Sequence, residues 1–160
     1  MFRVYVFDID GVILDVRERL RYAKELSRTL NTDFMQVFLS EELLLFDKPR
    51  RVGLELLKER MSRGRIALIT GRPRRLHQAT VEQLRSVGID VSKIWRIFMR
   101  SNNDRRPAPL VKLDFLDYIE SVGGCIAEVH DNEEDLLKLV KSMFPGAKLY
   151  LHEDDSYRLY

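Results

Sequence analysis

The stretch Phe2-Arg3-Val4-Tyr5-Val6-Phe7-Asp8-Ile9-Asp10-Gly11 decides the fold and marks where the chemistry lies. Val4 to Phe7 are β-branched or aromatic, so the run reads as a buried strand whose carboxyl end carries two acids. Side chains two positions apart on a strand share a face. Continued extension would therefore crowd the like charges of Asp8 and Asp10. Such a pair is stable when a cation neutralises it or one member is protonated, and Gly11 lets the backbone turn sharply away.

The same grammar recurs along the chain. Arg65-Ile66-Ala67-Leu68-Ile69 is a second apolar strand ending in Thr70-Gly71-Arg72-Pro73, and Cys125-Ile126-Ala127-Glu128-Val129-His130 is another ending in Asp131-Asn132-Glu133-Glu134-Asp135. Further strands are expected over 94–99 and 148–151. Helices are expected over 49–61 and 73–87, over 110–121 with Lys112 near its start, and over 133–143. Strands alternating with helices at this spacing predict a parallel sheet with helices on both faces, and open α/β sheets place ligands at the carboxyl ends of their strands.

Between the first strand and the helix that feeds the second lies a helical insertion, about 16–48. Its first helix shows one apolar face through Val16, Leu20, Ala23, Leu26 and Leu30, broken at Asn31-Thr32-Asp33. Two shorter helical pieces follow, one through Phe34, Val37 and Phe38 and one over 40–46. The insertion either forms a rudimentary lid over the site or merely packs. His130 is expected on the face opposite to Asp131, His77 and His152 on the surface, and Cys125 as a small buried residue. The polar tail 152–160 is unplaced.

The chain has 160 residues, 45% hydrophobic and 32% charged, which suits one domain spanning 1–160. No apolar run approaches the roughly 20 residues needed to cross a bilayer. The single cysteine cannot form an internal disulfide, and the expectation is a cytoplasmic protein with no membrane partner. Net charge is +2, but residues 48–106 hold 16 Lys/Arg against 5 Asp/Glu and residues 113–160 hold 4 against 11. A basic middle beside the expected site favours a phosphorylated, polymeric substrate such as a nucleic-acid end.

Asp-x-Asp-Gly, Thr-Gly-Arg, lysine and Asp-x-x-x-Asp, in that order over nearly the whole chain, resemble the haloacid dehalogenase-like phosphohydrolases. That resemblance implies a Rossmann-like three-layer α/β/α fold and a phosphatase that uses Mg2+. Asp8 then corresponds to the nucleophile and Asp10 to the proton donor and acceptor. Asp8, the backbone carbonyl of Asp10 and Asp131 correspond to the metal ligands. Carboxylate nucleophiles and all-oxygen coordination suit this chemistry, and no Cys/His ligand cluster is present. Thr70 can hydrogen-bond a phosphate oxygen where Gly11 and Gly71 let backbone approach it. Lys112 can supply a point charge to the aspartate–phosphate pair, and Asp135, or in its place Glu134, can orient Lys112 or a metal-bound water.

The segment Phe98-Met99-Arg100-Ser101-Asn102-Asn103-Asp104-Arg105-Arg106, followed by Lys112, further resembles the phosphatase domain of polynucleotide kinase/phosphatase enzymes. This makes Arg72, Arg100, Arg105 and Arg106 candidates for reading substrate phosphate, which a bidentate guanidinium suits. Val12 stands where threonine is usual and Asn132 where paired acids are common. No Gly-x-x-x-x-Gly-Lys-[Ser/Thr] loop occurs, so no kinase half is expected. Two alternatives stay open: a phosphatase for a small metabolite, favoured if the insertion closes over the site, and a non-catalytic nucleic-acid-binding or scaffold protein on the same fold.

Overall fold

A computed structural model describes residues 1–160. Six strands form one sheet in the order β5-β4-β1-β6-β7-β8. They are β1 (Phe2–Asp8), β4 (Arg65–Pro73), β5 (Arg96–Arg100), β6 (Gly124–Asp131), β7 (Lys148–Glu153) and β8 (Ser156–Leu159). All neighbours run parallel except β7 and β8, which form an antiparallel hairpin. The chain fills β1, β4 and β5 on one side and then returns to place β6 and β7 on the other. The topological switch point therefore falls at β1, where the two aspartates emerge.

Residue alternation along β1 builds two cores. Val4 and Val6 face α5 (Ala108–Ser121) and α6 (Glu134–Met143), meeting Leu116, Ile119, Leu137 and Val140. Tyr5 and Phe7 face the other way and pack with Leu54 and Leu57 of α3 (Arg51–Met61) and Leu84 of α4 (His77–Ser86). With helices on both faces, the expected three-layer α/β/α arrangement is what forms.

The insertion holds α1 (Arg17–Leu30), α2 (Phe34–Phe38) and a 3₁₀ turn over Glu41–Phe46, pinched at its base by the two-residue strands β2 (Leu14–Asp15) and β3 (Lys48–Pro49). α3 crosses the loop after β1 so closely that a Cβ on Gly53 would lie 1.8 Å from the Val12 carbonyl oxygen. Only glycine fits there. No helix is long and apolar enough to cross a membrane.

Three expectations are corrected. Cys125 is exposed, at the amino end of β6 beside the exposed Arg3. The tail is ordered, because β7 runs through His152 to Glu153 and turns into β8. His152, expected on the surface, is 1% exposed. It belongs to a buried polar chain in which Arg50 Nη1 lies 2.7 Å from His152 Nδ1, His152 Nε2 lies 3.0 Å from His130 Nδ1, and His130 Nε2 lies 2.8 Å from Glu128 Oε2.

A guanidinium can only donate, so His152 Nδ1 accepts and its Nε2–H donates onward to His130, which donates to Glu128. Both rings are neutral in this arrangement. Arg50 also donates to the carbonyls of Val12, Asp154 and Ser156, tying the hairpin to the loop after β1. His130 is stacked on Phe7, on the face away from Asp131, as expected.

Burial, then the neighbouring His130 ring and the Arg50 guanidinium, push His152 down to about 3, and burial pushes His130 down as well. A histidine whose folded value lies below its unfolded value of about 6.5 binds its proton more readily when unfolded. Stability is therefore constant above about pH 6.5 and falls as pH drops below it, by at most about 1.4 kcal/mol per pH unit for each histidine. Urea unfolding from pH 7.5 to 4.5 should show that fall. His152→Gln should flatten it, and an unchanged slope would remove His152 as its source.

Candidate active site

Asp8 continues the alternation of Val4 and Val6, so its side chain points to the α5 side of the sheet and meets Lys112. Lys112 Nζ lies 2.9 Å from Asp131 Oδ2, 3.3 Å from Asp8 Oδ2 and 3.4 Å from Glu133 Oε1. The Lys112, Asp8 and Asp131 side chains are 2%, 4% and 0% exposed. Burial works against the ammonium, but Asp131, then Asp8 and Glu133, outweigh it and hold Lys112 well above the usual lysine range. Asp8 moves against its own ionisation: burial, then Asp131, push its carboxyl up against the pull of Lys112. One ammonium among three carboxylates leaves Asp8 short of positive charge, a deficit that a bound cation would fill.

The donors present fit magnesium. Asp8 and Asp131 supply carboxylate oxygens, and the Asp10 carbonyl oxygen accepts no hydrogen bond from the protein. No group of three or more His, Cys, Asp or Glu side chains is arranged to hold a metal. An ion here would thus rest on two carboxylates and a carbonyl, with water and substrate completing the shell, which is the hydrated manner in which magnesium binds.

Asp10 lies beyond the strand and takes different hydrogen-bond partners from Asp8. β1 ends at Asp8, and the Ile9 carbonyl then accepts the amides of Val12, Ile13 and Leu14 in a tight loop. Gly11 makes this possible with φ of +86°, and a Cβ on it would lie 2.4 Å from Asn132 Nδ2. Its amide donates to the Leu14 carbonyl at 2.8 Å. Gly11, expected to meet substrate with its backbone, is therefore engaged within the loop. The Val12 side chain is fully buried in the core.

The turn delivers Asp10 to two buried arginines. Its Oδ1 accepts from Arg72 Nη2 at 2.7 Å and Arg19 Nη2 at 2.8 Å, and its Oδ2 accepts from Arg72 Nε at 3.2 Å. Asp47, also fully buried, accepts from Arg19 Nε at 2.9 Å, Gln83 Nε2 at 2.9 Å and Arg72 Nη2 at 3.2 Å. Arg72, expected to read substrate phosphate, is instead consumed by Asp10, Asp47, Thr80 and Gln83. Burial alone would raise the Asp10 carboxyl, but Arg72, then Arg19, outweigh it and hold it at about 2.

Thr70 is buried at the end of β4, next to Ile69, the register partner of Asp8. Its Oγ1 accepts the Arg72 amide at 3.0 Å, leaving the hydroxyl proton to donate. Gly71 lies against Arg100 and Ala108. Arg100 braces the following loop: its Nε donates to the Gly71 carbonyl at 2.6 Å and its Nη1 to the carbonyls of Asp104 and Arg106. Arg106, expected on substrate, pairs with Asp104 and Asp114. Arg105 is left exposed, without an ion pair.

Asp135 is exposed and bonds to nothing, and Glu134 accepts from Tyr160. α6 starts only at Glu134, so Asp131 and Asp135 do not share a helix and the i,i+4 relation does not apply. Glu133, just before the first turn, reaches Lys112 instead. Arg19 and Asp47 were not among the expected site residues. Arg19 was findable, because it lies three residues after Val16 and four before Ala23, on the face of α1 that turns inward. Asp47, in the link between the 3₁₀ turn and β3, carries no such signal.

No protein-family profile matches the chain, and no curated protein sequence matches it. Solved structures do. The structures of the Pnkp1/Rnl/Hen1 complex, one of them described as an RNA repair complex, align at 16% identity with TM-scores of 0.67 and 0.68. They cover 94% and 93% of this chain but 42% and 45% of theirs, so the chain spans less than half the length of those proteins. A Thermotoga maritima protein described as a beta-phosphoglucomutase aligns at 20% identity and TM-score 0.56 over 96% of this chain and 88% of its own. A HAD-superfamily hydrolase, subfamily IA, from Geobacter sulfurreducens aligns at 13% identity and TM-score 0.58 over 93% and 88%. With its parallel sheet switching direction at β1 and helices on both faces, the chain has the haloacid dehalogenase-like fold.

Proposed function

We propose that the chain is a magnesium-dependent phosphomonoesterase that works through an aspartyl-phosphate on Asp8, acting on a terminal phosphate of a nucleic acid or nucleotide. The observation that carries this reading is Lys112 Nζ held between Asp8 and Asp131 at the end of the central strand, beside an Asp10 fixed by two buried arginines. Ester hydrolysis needs a nucleophile, a proton carrier for the leaving oxygen and positive charge for the transferring group. The cluster offers one of each.

Asp8 attacks phosphorus as the bond to the leaving oxygen breaks. Asp10 meets the substrate ionised, so the proton that the leaving oxygen needs arrives on the phosphate monoanion and passes through Asp10. In the second half, water attacks the aspartyl-phosphate, Asp10 takes the water proton, and Asp8 is released. Lys112 and the Thr70 hydroxyl hold phosphoryl oxygens throughout. Magnesium, bound on Asp8, Asp131 and the Asp10 carbonyl, would neutralise charge on the phosphoryl group. Arg19, Arg72 and Asp47 keep Asp10 aimed. The basic residues 48–106, the free Arg105 and the likeness to proteins of an RNA repair complex support a nucleic-acid end as the substrate.

A phosphate-release screen with magnesium over 3′- and 5′-phosphorylated oligonucleotides, nucleotides and sugar phosphates tests the reading. Preference for sugar phosphates would replace the nucleic-acid end by a metabolite.

Asp8→Asn should lower turnover by more than 100-fold with native circular dichroism, because the amide keeps the shape but is not a nucleophile. Losing general acid–base catalysis alone costs typically 10²–10⁴-fold, so a variant with more than a hundredth of the wild-type rate would refute the assignment.

Excess chelator should stop turnover and magnesium restore it. Magnesium should also raise the wild-type melting temperature, by about 2.7 kcal/mol of stability at a hundred times its dissociation constant, and leave Asp131→Asn unmoved. Full activity in chelator would rule the mechanism out.

Because Asp10 is ionised at rest, kcat/KM for an alkyl ester should fall about tenfold per unit above about pH 6, the second phosphate pKa, where the substrate loses the proton that it brings. A 4-nitrophenyl ester, whose leaving group needs no proton, should fall less. Equal slopes for both would contradict proton delivery through Asp10.

A further inference from the structure

Two surface clefts lie along β5, and the first is bordered by the neighbours of Gly71. The first, about 640 Å³, lies between α2 and the loop after β5, with Met35, Leu39, Pro73, Arg75 and Arg105 in its walls. The second, about 470 Å³, wraps the outer edge of β5 between the turn Arg74–Leu76 and α5, with Arg74, His77, Arg96, Phe98, Phe115 and Tyr118 in its walls. They flank the same two segments, since Arg74 lines one and Arg75 the other, and likewise Met99 and Arg100. Arg100 and Ala108, which line the first cleft, are the neighbours of Gly71 beside Thr70.

The second cleft combines two chemistries. Tyr118, 39% exposed, stands edge-on to Phe98 with ring centroids 5.8 Å apart, and Phe98 stacks on Phe115 at 5.4 Å. The Arg96 guanidinium lies 5.2 Å from the Tyr118 ring centroid. No acidic side chain lines this cleft. In the first cleft, Asp104 is neutralised by Arg106, and Asp33, the other acid in its wall, caps α2 by accepting the Gln36 amide. Neither Arg74, Arg75, Arg96 nor Arg105 has a carboxylate partner within ion-pair distance. Uncompensated guanidiniums beside partly exposed aromatic rings are what a single strand uses: phosphates on the cations, bases on the rings.

We propose that this surface, from Arg75 and Arg105 over the β5 edge to Arg96 and Tyr118, carries the body of a single-stranded nucleic acid whose terminal phosphate lies at Asp8. The proposal rests on the phosphatase reading above and adds where the strand leaves the site. β5 is an edge strand with free outer backbone groups, a template for another strand. Pairing two copies there would bring Arg74, Arg75 and Arg96 of each against the other, and like charges facing across a strand pair repel. The polyanion is the occupant that these cations fit.

The experiment compares wild type with Arg96→Ala/Tyr118→Ala, and with Tyr118→Phe, on 4-nitrophenyl phosphate, a phosphorylated mononucleotide and phosphorylated oligonucleotides of increasing length, at several salt concentrations. For wild type, KM should fall with strand length and then level off. The double variant should raise KM for the long strands about tenfold or more, since stacking of one base on an aromatic ring contributes about 1–3 kcal/mol. Its salt slope should become shallower by about 0.7 for each phosphate that the protein no longer neutralises. Its kcat on the long strand, and its turnover of mononucleotide and ester, should stay within twofold of wild type. Tyr118→Phe keeps the ring face and should keep the wild-type KM.

Wild-type length dependence with an unchanged KM in the double variant would overturn the path while leaving the phosphatase reading intact. Hydrolysis of the small ester but of no oligonucleotide would overturn the nucleic-acid reading and the path with it. A concentration-dependent dimer in sedimentation, abolished by the double variant while KM is unmoved, would make β5 an interface between copies instead.

Discussion

Each aspartate at the end of β1 has its own cationic environment, and the arrangement of the surrounding structure follows from that separation. Two carboxylates two residues apart in extended chain would share a face and repel. The chain avoids this by ending the strand at Asp8 and turning through Gly11, so that Asp8 stays with Lys112 and Asp10 swings to Arg19 and Arg72. Buried ion groups of this kind cost desolvation and persist only when every partner is satisfied. No buried side-chain nitrogen or oxygen in the chain lacks a hydrogen-bond partner. The two environments act oppositely on the two acids. Asp10 lies against two guanidiniums that outweigh its burial and is held ionised, whereas Asp8 shares one ammonium with two further carboxylates and is pushed toward protonation. A divalent ion would relieve only the second.

The insertion takes its place in the molecule from the same pairing. Arg19 comes from α1 and Asp47 from the link that follows the 3₁₀ turn, while Arg72 and Gln83 come from β4 and α4 of the core layer. The two sides are joined by charge as much as by apolar contact, and the joint ends on Asp10. The insertion is thus a support for Asp10. Its α2 also forms one wall of the first cleft. On the opposite side of β1, Arg50 plays a similar part, binding the β7–β8 hairpin and the carbonyl of Val12 in the loop that carries Asp10 and Gly11.

Much of this was legible in order along the chain. The apolar runs of β1, β4 and β6, the inward stripes of the helices and the glycines and prolines that end them all express local rules, a period of two or of 3.6 and the geometry of turns. The positions of the acids at the strand ends, of Thr70 in β4 and of Lys112 near the start of α5 were readable because motif order fixes which element carries each. The fate of each arginine was not. Arg72, Arg100, Arg105 and Arg106 look alike in sequence, yet one is consumed by Asp10, one braces a loop, one pairs with Asp104 and Asp114, and one is free. Partner choice for a long, flexible cation depends on residues far apart in the chain.

His152 and Glu133 make the same point from the buried side. A polar tail reads as solvated until β7 pairs with β6 and brings His152 against His130, after which the histidine must be neutral and hydrogen-bonded. Glu133 precedes α6 and Asp135 lies in its first turn, a boundary that periodicity locates to within a residue or two and no better. The sequence by itself determined the α/β layering, the strand ends that carry the acids and the lysine that faces them, because alternation and helical period are properties of neighbouring residues. The tertiary structure alone decided how Arg19, Arg72 and Asp47 converge on Asp10 and which guanidiniums remain open to a substrate, because buried charges take whichever partners long-range packing brings within reach.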